Sequence, residues 1–227
     1  MEANKQLRYD LLKANQYDVE HAKACYEFIE GKEDNLPTRV EEVELPDGVY
    51  FVKRDGSVQL YTGQIFKEEE KSLYEYVGVK QGEKSLLIFC RDNVAGPTKL
   101  TTKEGGSRFI KNYHDAVADW NGKANTEDIR DILAVEALVP DDWHIPSLGE
   151  MCFILVHLKE LNAALEAIGQ EPLHDDWYWT STQFSAAIAW NLDLSDGYAY
   201  GWYTKASYQG RVRPVSAFLT DPLVVNL

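Results

Sequence analysis

Apolar residues recur at helical spacing at the start and in the middle of the chain, and with a period of two in most of the remainder. Across residues 4–30, Leu12, Val19 and Tyr26 stand seven apart with Ala22 and Ile29 between them, and Gly31 is placed to stop the run. That predicts a helical arm. Two heptads are too few for a coiled coil, so the arm packs on its own domain or forms a homo-oligomer contact. Residues 31–46 are charged and contain proline, as a linker would. The expected division is therefore an N-terminal helical arm and linker over residues 1–45 and a folded domain over 46–227.

Strand patterning follows. Residues 48–53 and 58–62 flank Asp55-Gly56, and residues 73–79 and 85–90 flank Gln81-Gly82, so two hairpins are expected. Residues 92–107 are rich in Gly, Thr, Lys and Pro and read as a long loop. A helix over 111–121 would bury Ala116, Val117 and Trp120. Thr126 is placed to cap another that runs to Leu138, with Glu127 and Asp128 in its first turn. Ser147 with Glu150 forms a capping box that opens the most regular helix. Its apolar face holds Met151, Ile154, Leu155, Leu158, Leu161, Leu165 and Ile168, and Gly169 ends it. After Pro172 the period becomes two. Trp190, Leu192 and Leu194 share one side, Asn191 and Asp193 the other. Asp196-Gly197 turns the chain into Tyr198, Tyr200 and Trp202, which alternate with Ala199 and Gly201. Residues 203–210 read as a loop, and residues 212–215 as a closing strand.

Ten of the chain's 27 aromatic residues lie in the 32 positions from 177 to 208. A core readily uses tryptophan, but not five tyrosine hydroxyls interleaved with Asn, Asp, Ser, Thr and Lys. Tyrosine beside small polar residues suits recognition, because it gives large, stiff contact at low entropic cost. The segment reads as a binding face.

The totals narrow the partners. A net charge of −14 over 227 residues disfavours nucleic acid and anionic membrane surfaces. No run approaches membrane-spanning length, so membrane insertion is not expected. The N-terminal residues lack a signal-peptide pattern, which predicts cytoplasmic synthesis, with association with a virion as one destination. Cys25, Cys90 and Cys152 are too few and too scattered for a disulfide framework, and each reads as a small packed hydrophobe. His174-Asp175-Asp176 is the one tight cluster of metal-ligand types, and a solvated loop accounts for it. Asp193 and Asp196, with Asn191 nearby, read either as a calcium site or as acidic turn residues. Glu171, Asp175, Asp193 and Asp196 are the carboxylates near the aromatic segment that glycoside hydrolysis would need. The sequence has no nucleophile elbow, phosphate loop, dinucleotide fingerprint or HExxH. No catalytic residue, metal or cofactor is assigned. Arg211 and Arg213 read as structural forks for backbone carbonyls or a carboxylate.

Three segments in order carry a resemblance: Trp143-His-Ile-Pro-Ser147 with Glu150, then Tyr178-Trp-Thr-Ser-Thr182 with Ala189-Trp190, then Val212-Arg-Pro-Val215 with Ala217-Phe218. Together they resemble bacterial and phage C-type-lectin-like domains, relatives in fold of the formylglycine-generating enzymes. The variable proteins of diversity-generating retroelements belong among them. The resemblance is specific over residues 112–218 and weaker over 47–90. It implies an α+β fold with two main helices on a twisted antiparallel sheet, and structural roles for Trp143, Pro146, Trp179, Trp190, Val212 and Pro214. By the same resemblance Asn191, Asp193, Ser195, Tyr198, Tyr200, Trp202, Tyr203, Thr204, Ser207 and Tyr208 are the displayed, diversified ligand-binding positions. The Glu-Pro-Asn type calcium motif of animal lectins is absent, and no cysteine follows Cys152.

The expected function is a non-enzymatic receptor-binding or adhesin-type protein, encoded by a phage or prophage, whose ligand is a protein or glycan on a cell surface. The other readings are a bacterial carbohydrate binder with a fixed site, where Trp202 and Tyr200 stack on sugars, and an enzyme on the same fold.

Overall fold

Among the described residues eight strands divide between two antiparallel sheets, and most of the helices lie in the chain between them. The computed structural model describes residues 45–89, 96–134 and 139–218. The expected N-terminal arm, Cys25 and Cys90 lie outside them. Residues from Pro46 to Phe218 form one compact unit.

The first hairpins form as their turns predict. β1 (Gly48–Lys53) pairs with β2 (Val58–Leu60) across Asp55-Gly56, and the short helix α1 (Glu68–Lys71) leads into β3 (Tyr74–Gln81). β4 (Lys84–Ile88) turns back on β3 at Gln81-Gly82. Alternation places Val49, Phe51, Val77, Val79, Leu86 and Ile88 on one buried side. Each such side chain, fully buried, contributes about 1.5–3 kcal/mol.

The middle of the chain holds α2 (Tyr113–Val117), α3 (Gly122–Glu127), a 3₁₀ turn (Arg130–Ile132), α4 (Leu148–Val156) and α5 (Leu158–Ala167). Three expectations change here. The helix expected over 111–121 spans only α2, with Ala116 buried and Val117 and Trp120 half-buried. Thr126 does not cap a helix; it lies inside α3, fully buried, and its hydroxyl donates to Ile145 O and accepts from Ile145 N at 3.0 Å. The helix ends at Glu127 because Asp128 is committed elsewhere, accepting from Ser107 N and Oγ and from Gln183 Nε2. The single helix expected after Ser147 is two. His157 leaves the α basin (φ −102°, ψ 7°), its ring packing on Phe153 at 4.9 Å and meeting Gln81 Oε1 at 3.3 Å. Beyond the break Leu161, Ala164 and Leu165 still reach the core. Gly169, at φ +74°, ends the pair as expected. The capping box is present: Ser147 Oγ accepts from Glu150 N, and Glu150 Oε2 accepts from Ser147 N at 2.7 Å.

β5 (Trp177–Gln183), β6 (Ile188–Asp193) and β7 (Ala199–Thr204) form the second sheet in that order. β8 (Val215–Ala217) then returns to the first sheet beside β4, giving the order β2-β1-β3-β4-β8. The closing strand begins later than residue 212. Pro214 supplies no N–H to a ladder, and Arg213 is spent on carbonyls, donating to Phe89 O, Glu171 O and Pro172 O at 3.0–3.1 Å. The structural reading of Arg213 is what the fold shows.

The molecule is thus α+β with antiparallel sheets and short helices. No helix among the described residues is long and apolar enough to cross a membrane.

A buried polar knot ties the layers together. Asp119, 4% exposed, accepts from Asn125 Nδ2, Asn121 N and Thr182 Oγ1, while its carbonyl takes Ser147 Oγ. Thr182 Oγ1 also accepts from Leu148 N, and Ser181 N donates to Pro146 O. This accounts for a strand as polar as Thr180-Ser181-Thr182 being fully buried: its hydroxyls satisfy backbone groups at the start of α4 and in β6.

Candidate ligand-binding face

Register sorts the second sheet into two sides. Trp190, Leu192 and Leu194 join Tyr178 in the core that α4 and α5 share. On the other side Trp177 stands opposite Asp193, Trp179 opposite Asn191, Asn191 opposite Tyr200, and Ala189 opposite Tyr203. The partition predicted from alternation in β6 therefore holds.

Alternation in β7 does not. Between the pairs Asn191↔Tyr200 and Ala189↔Tyr203, β6 advances two residues and β7 three. The extra residue is a bulge, which breaks the period of two. Tyr200 and Tyr203 consequently fall on one side, 5.1 Å apart between ring centroids. Trp202 goes to the other, where it stacks at 6.3 Å on Phe184, whose ring also meets Trp190. Trp202 is 67% exposed, but it does not share a surface with Tyr200 as alternation had implied.

The rings on the tyrosine side form one continuous group. Trp177 meets Tyr198, Tyr200 and Tyr203 at 6.4, 6.4 and 5.5 Å, each close to edge-on. Tyr203 and Tyr208 stack at 3.7 Å with planes 6° apart, and Trp179 abuts Tyr208 at 5.7 Å. Tyr198 is 57% exposed, while Tyr200, Tyr203 and Tyr208 are half-buried. Burial raises the Tyr208 hydroxyl first, then Tyr203, Asp176 and Asp193 add to it, and together they push it up to about 12. The phenol therefore stays neutral, in a setting that already contains negative charge.

Turn chemistry positions the outer end. Gly197 adopts φ +79°, Asp193 Oδ1 accepts from Ser195 N and Oγ, and Asp196 Oδ1 accepts from Tyr198 N. Asp193 and Asp196 thus act as turn residues. No group of three or more His, Cys, Asp or Glu among the described residues is placed to hold a metal. His174 instead pairs with Glu171, and Asp176 with Arg211 Nε at 2.8 Å.

Asn191 departs from expectation most. It is fully buried rather than displayed. The segment after β7 folds back over it: Thr98 and Gly210 exchange backbone bonds, and Trp179 N donates to Arg211 O. A Cβ on Gly210 would stand 3.2 Å from the Trp179 ring and 3.4 Å from Asn191 Nδ2. Among the described residues neither Nδ2 nor Oδ1 of Asn191 has a hydrogen-bond partner.

The loop itself is braced. Lys205 is fully buried and donates to Gly105 O and Gln183 Oε1, and its burial lowers the amine to about 8. Thr204 and Ser207, both exposed, share a hydroxyl hydrogen bond. Of the ten expected positions, Asp193, Ser195, Tyr198, Tyr200, Tyr203 and Tyr208 come together, with Thr204 at the end of β7 and Ser207 on the adjoining loop. Trp202 and Asn191 do not join that surface. Trp177, counted in the aromatic segment but not among the ten positions, joins them through its register opposite Asp193, and Asp176 adjoins it. Trp143, Pro146, Trp179, Trp190, Val212 and Pro214 are all buried, as structural positions would be.

Compared with known proteins, the chain matches no family model and no curated protein to a significant degree.

Proposed function

We propose that this protein is a non-enzymatic ligand-binding protein with a C-type-lectin-like domain, of the receptor-binding kind found in phages and prophages. The tyrosine side of its second sheet makes the contact. The observation that carries the reading is the contiguous ring group of Trp177, Tyr198, Tyr200, Tyr203 and Tyr208, which extends outward from a second core of Trp179 and Ala189 against which Tyr203 and Tyr208 pack. Further support is the burial of every position assigned a structural role, and a closing strand that returns to the first sheet beside β4. Diversification of residues 191–208 belongs to the same proposal. Substitutions at Tyr198, Ser195, Thr204 or Ser207 would alter the surface without touching the Trp179–Trp190 scaffold.

Adsorption of the full chain to a panel of intact bacterial cells tests this. The wild-type protein should bind at least one strain, and Tyr198→Ser with Tyr200→Ser should weaken that binding by about ten-fold or more. The melting temperature should move by only a few degrees. A variant that adsorbs normally, or one that unfolds, would sink the reading. In the genome, a near-copy of the stretch encoding residues 190–212, differing only where the copy has adenine, beside a reverse transcriptase, would establish diversification.

A further inference from the structure

We propose that the tyrosine face docks a cationic stretch of a partner protein, rich in lysine or arginine; this rests on the reading above that the face binds a ligand at all. The ring geometry is the first support. Tyr203 and Tyr208 cover one another at 3.7 Å, and Trp177 is met nearly edge-on by Tyr198 and Tyr203, at 88° and 84°. Ring faces engaged in this way leave little flat platform for a sugar. Tyr198, 57% exposed, still offers its ring and phenol oxygen, which attract ammonium and guanidinium groups.

Charge is the second support. Asp193 stands directly across from Trp177, Asp176 immediately precedes it, and Asp196 lies in the adjoining turn. Arg211 neutralises Asp176. Asp193 and Asp196 make hydrogen bonds within their turn and, among the described residues, no ion pair. The surface is therefore rich in acceptors and negative, on a chain of net charge −14. A ligand that fits must bring donors and positive charge. The rings meet one another in a row from Tyr198 to Tyr208, which favours an extended segment over a single small cation.

The test uses the full chain and three decapeptides: alternating Lys-Gly, its Nε-acetylated form, and alternating Glu-Gly. Binding is read by tryptophan fluorescence at low and at moderate salt. The lysine peptide should bind, acetylation should weaken it about ten-fold or more, and added salt should weaken it further. Asp193→Asn keeps the turn's acceptor but removes its charge, and should cost about three-fold. Glu69→Gln, an equal charge change on exposed α1, should be silent. Failure of the lysine peptide to bind, equal binding of the acetylated or Glu peptide, or equal losses from Asp193→Asn and Glu69→Gln would each overturn the cationic class. The two readings fail separately. Cell adsorption that needs Tyr198 and Tyr200 but ignores Asp193→Asn keeps the face and removes the cation. Adsorption indifferent to the tyrosines removes the face, whatever the peptides do.

Discussion

At the residue scale, Asn191 is the side chain whose energetics and position disagree most. A buried amide with neither atom bonded costs about 1–3 kcal/mol relative to a satisfied one, and apolar Leu has nearly the same size. Asn191→Leu should therefore leave stability unchanged or raise it by about 1 kcal/mol, with binding to the tyrosine face unchanged, because the side chain lies beneath that surface. Urea unfolding with the adsorption assay checks both halves; a large loss of stability would mean that the amide is a structural group. Alternation along β6 put Asn191 on the right side. It could not tell that Thr98 and Gly210 close over that position, because they are 93 and 19 residues away in sequence from it. Arg213 was legible for the opposite reason: a guanidinium in an apolar motif near the end of a fold has few partners other than backbone carbonyls.

At the element scale, turns and caps were the most readable features. Asp55-Gly56, Gln81-Gly82 and Asp196-Gly197 all turn the chain between paired strands, and Ser147 and Glu150 cap α4, because these motifs are decided by a few neighbouring backbone groups. Departures occurred where a distant group intervened. The β7 bulge, the break at His157 and the early end of α3 each answer to a partner on another element. Close backbone packing also joins α4 to the segment before α3. A Cβ on Gly149 would lie 2.3 Å from Asp119 O and 2.9 Å from Val117 O, both backbone atoms that cannot rotate away. Gly149→Ala should destabilise the protein by about 3 kcal/mol or more, and a melting temperature within about 2 °C of wild type would refute that packing.

For the whole molecule, pH response follows from the polar contacts that join the loop at residues 96–110 to the second sheet. Burial alone would raise the Asp128 carboxyl, but bonds from Ser107, Arg108 and Gln183 outweigh it and lower it from 3.8 to about 2. Because the folded value is the lower one, its stabilisation is complete above about pH 4 and is lost as pH falls toward 2. Asp128→Asn should therefore be less stable than wild type by about 1–2 kcal/mol at pH 7. The gap should close between pH 4 and 2, and urea midpoints measured at pH 7, 4 and 2.5 would show it. A gap independent of pH would mean that the ionised form is not what Ser107 and Gln183 hold.

By itself the sequence determined the local structure of the domain: its hairpin turns, its capped helix and the core side of β6; its count of five tyrosines did not separate Tyr178, which is fully buried, from the rest. The first three rest on interactions between residues a few positions apart, which composition and period record. Tertiary structure alone decided which of those tyrosines form one surface, that Trp202 leaves it and that Asn191 lies beneath it. Those outcomes depend on one inserted residue in β7 and on a loop laid back across β6. Neither leaves a periodic trace in the chain.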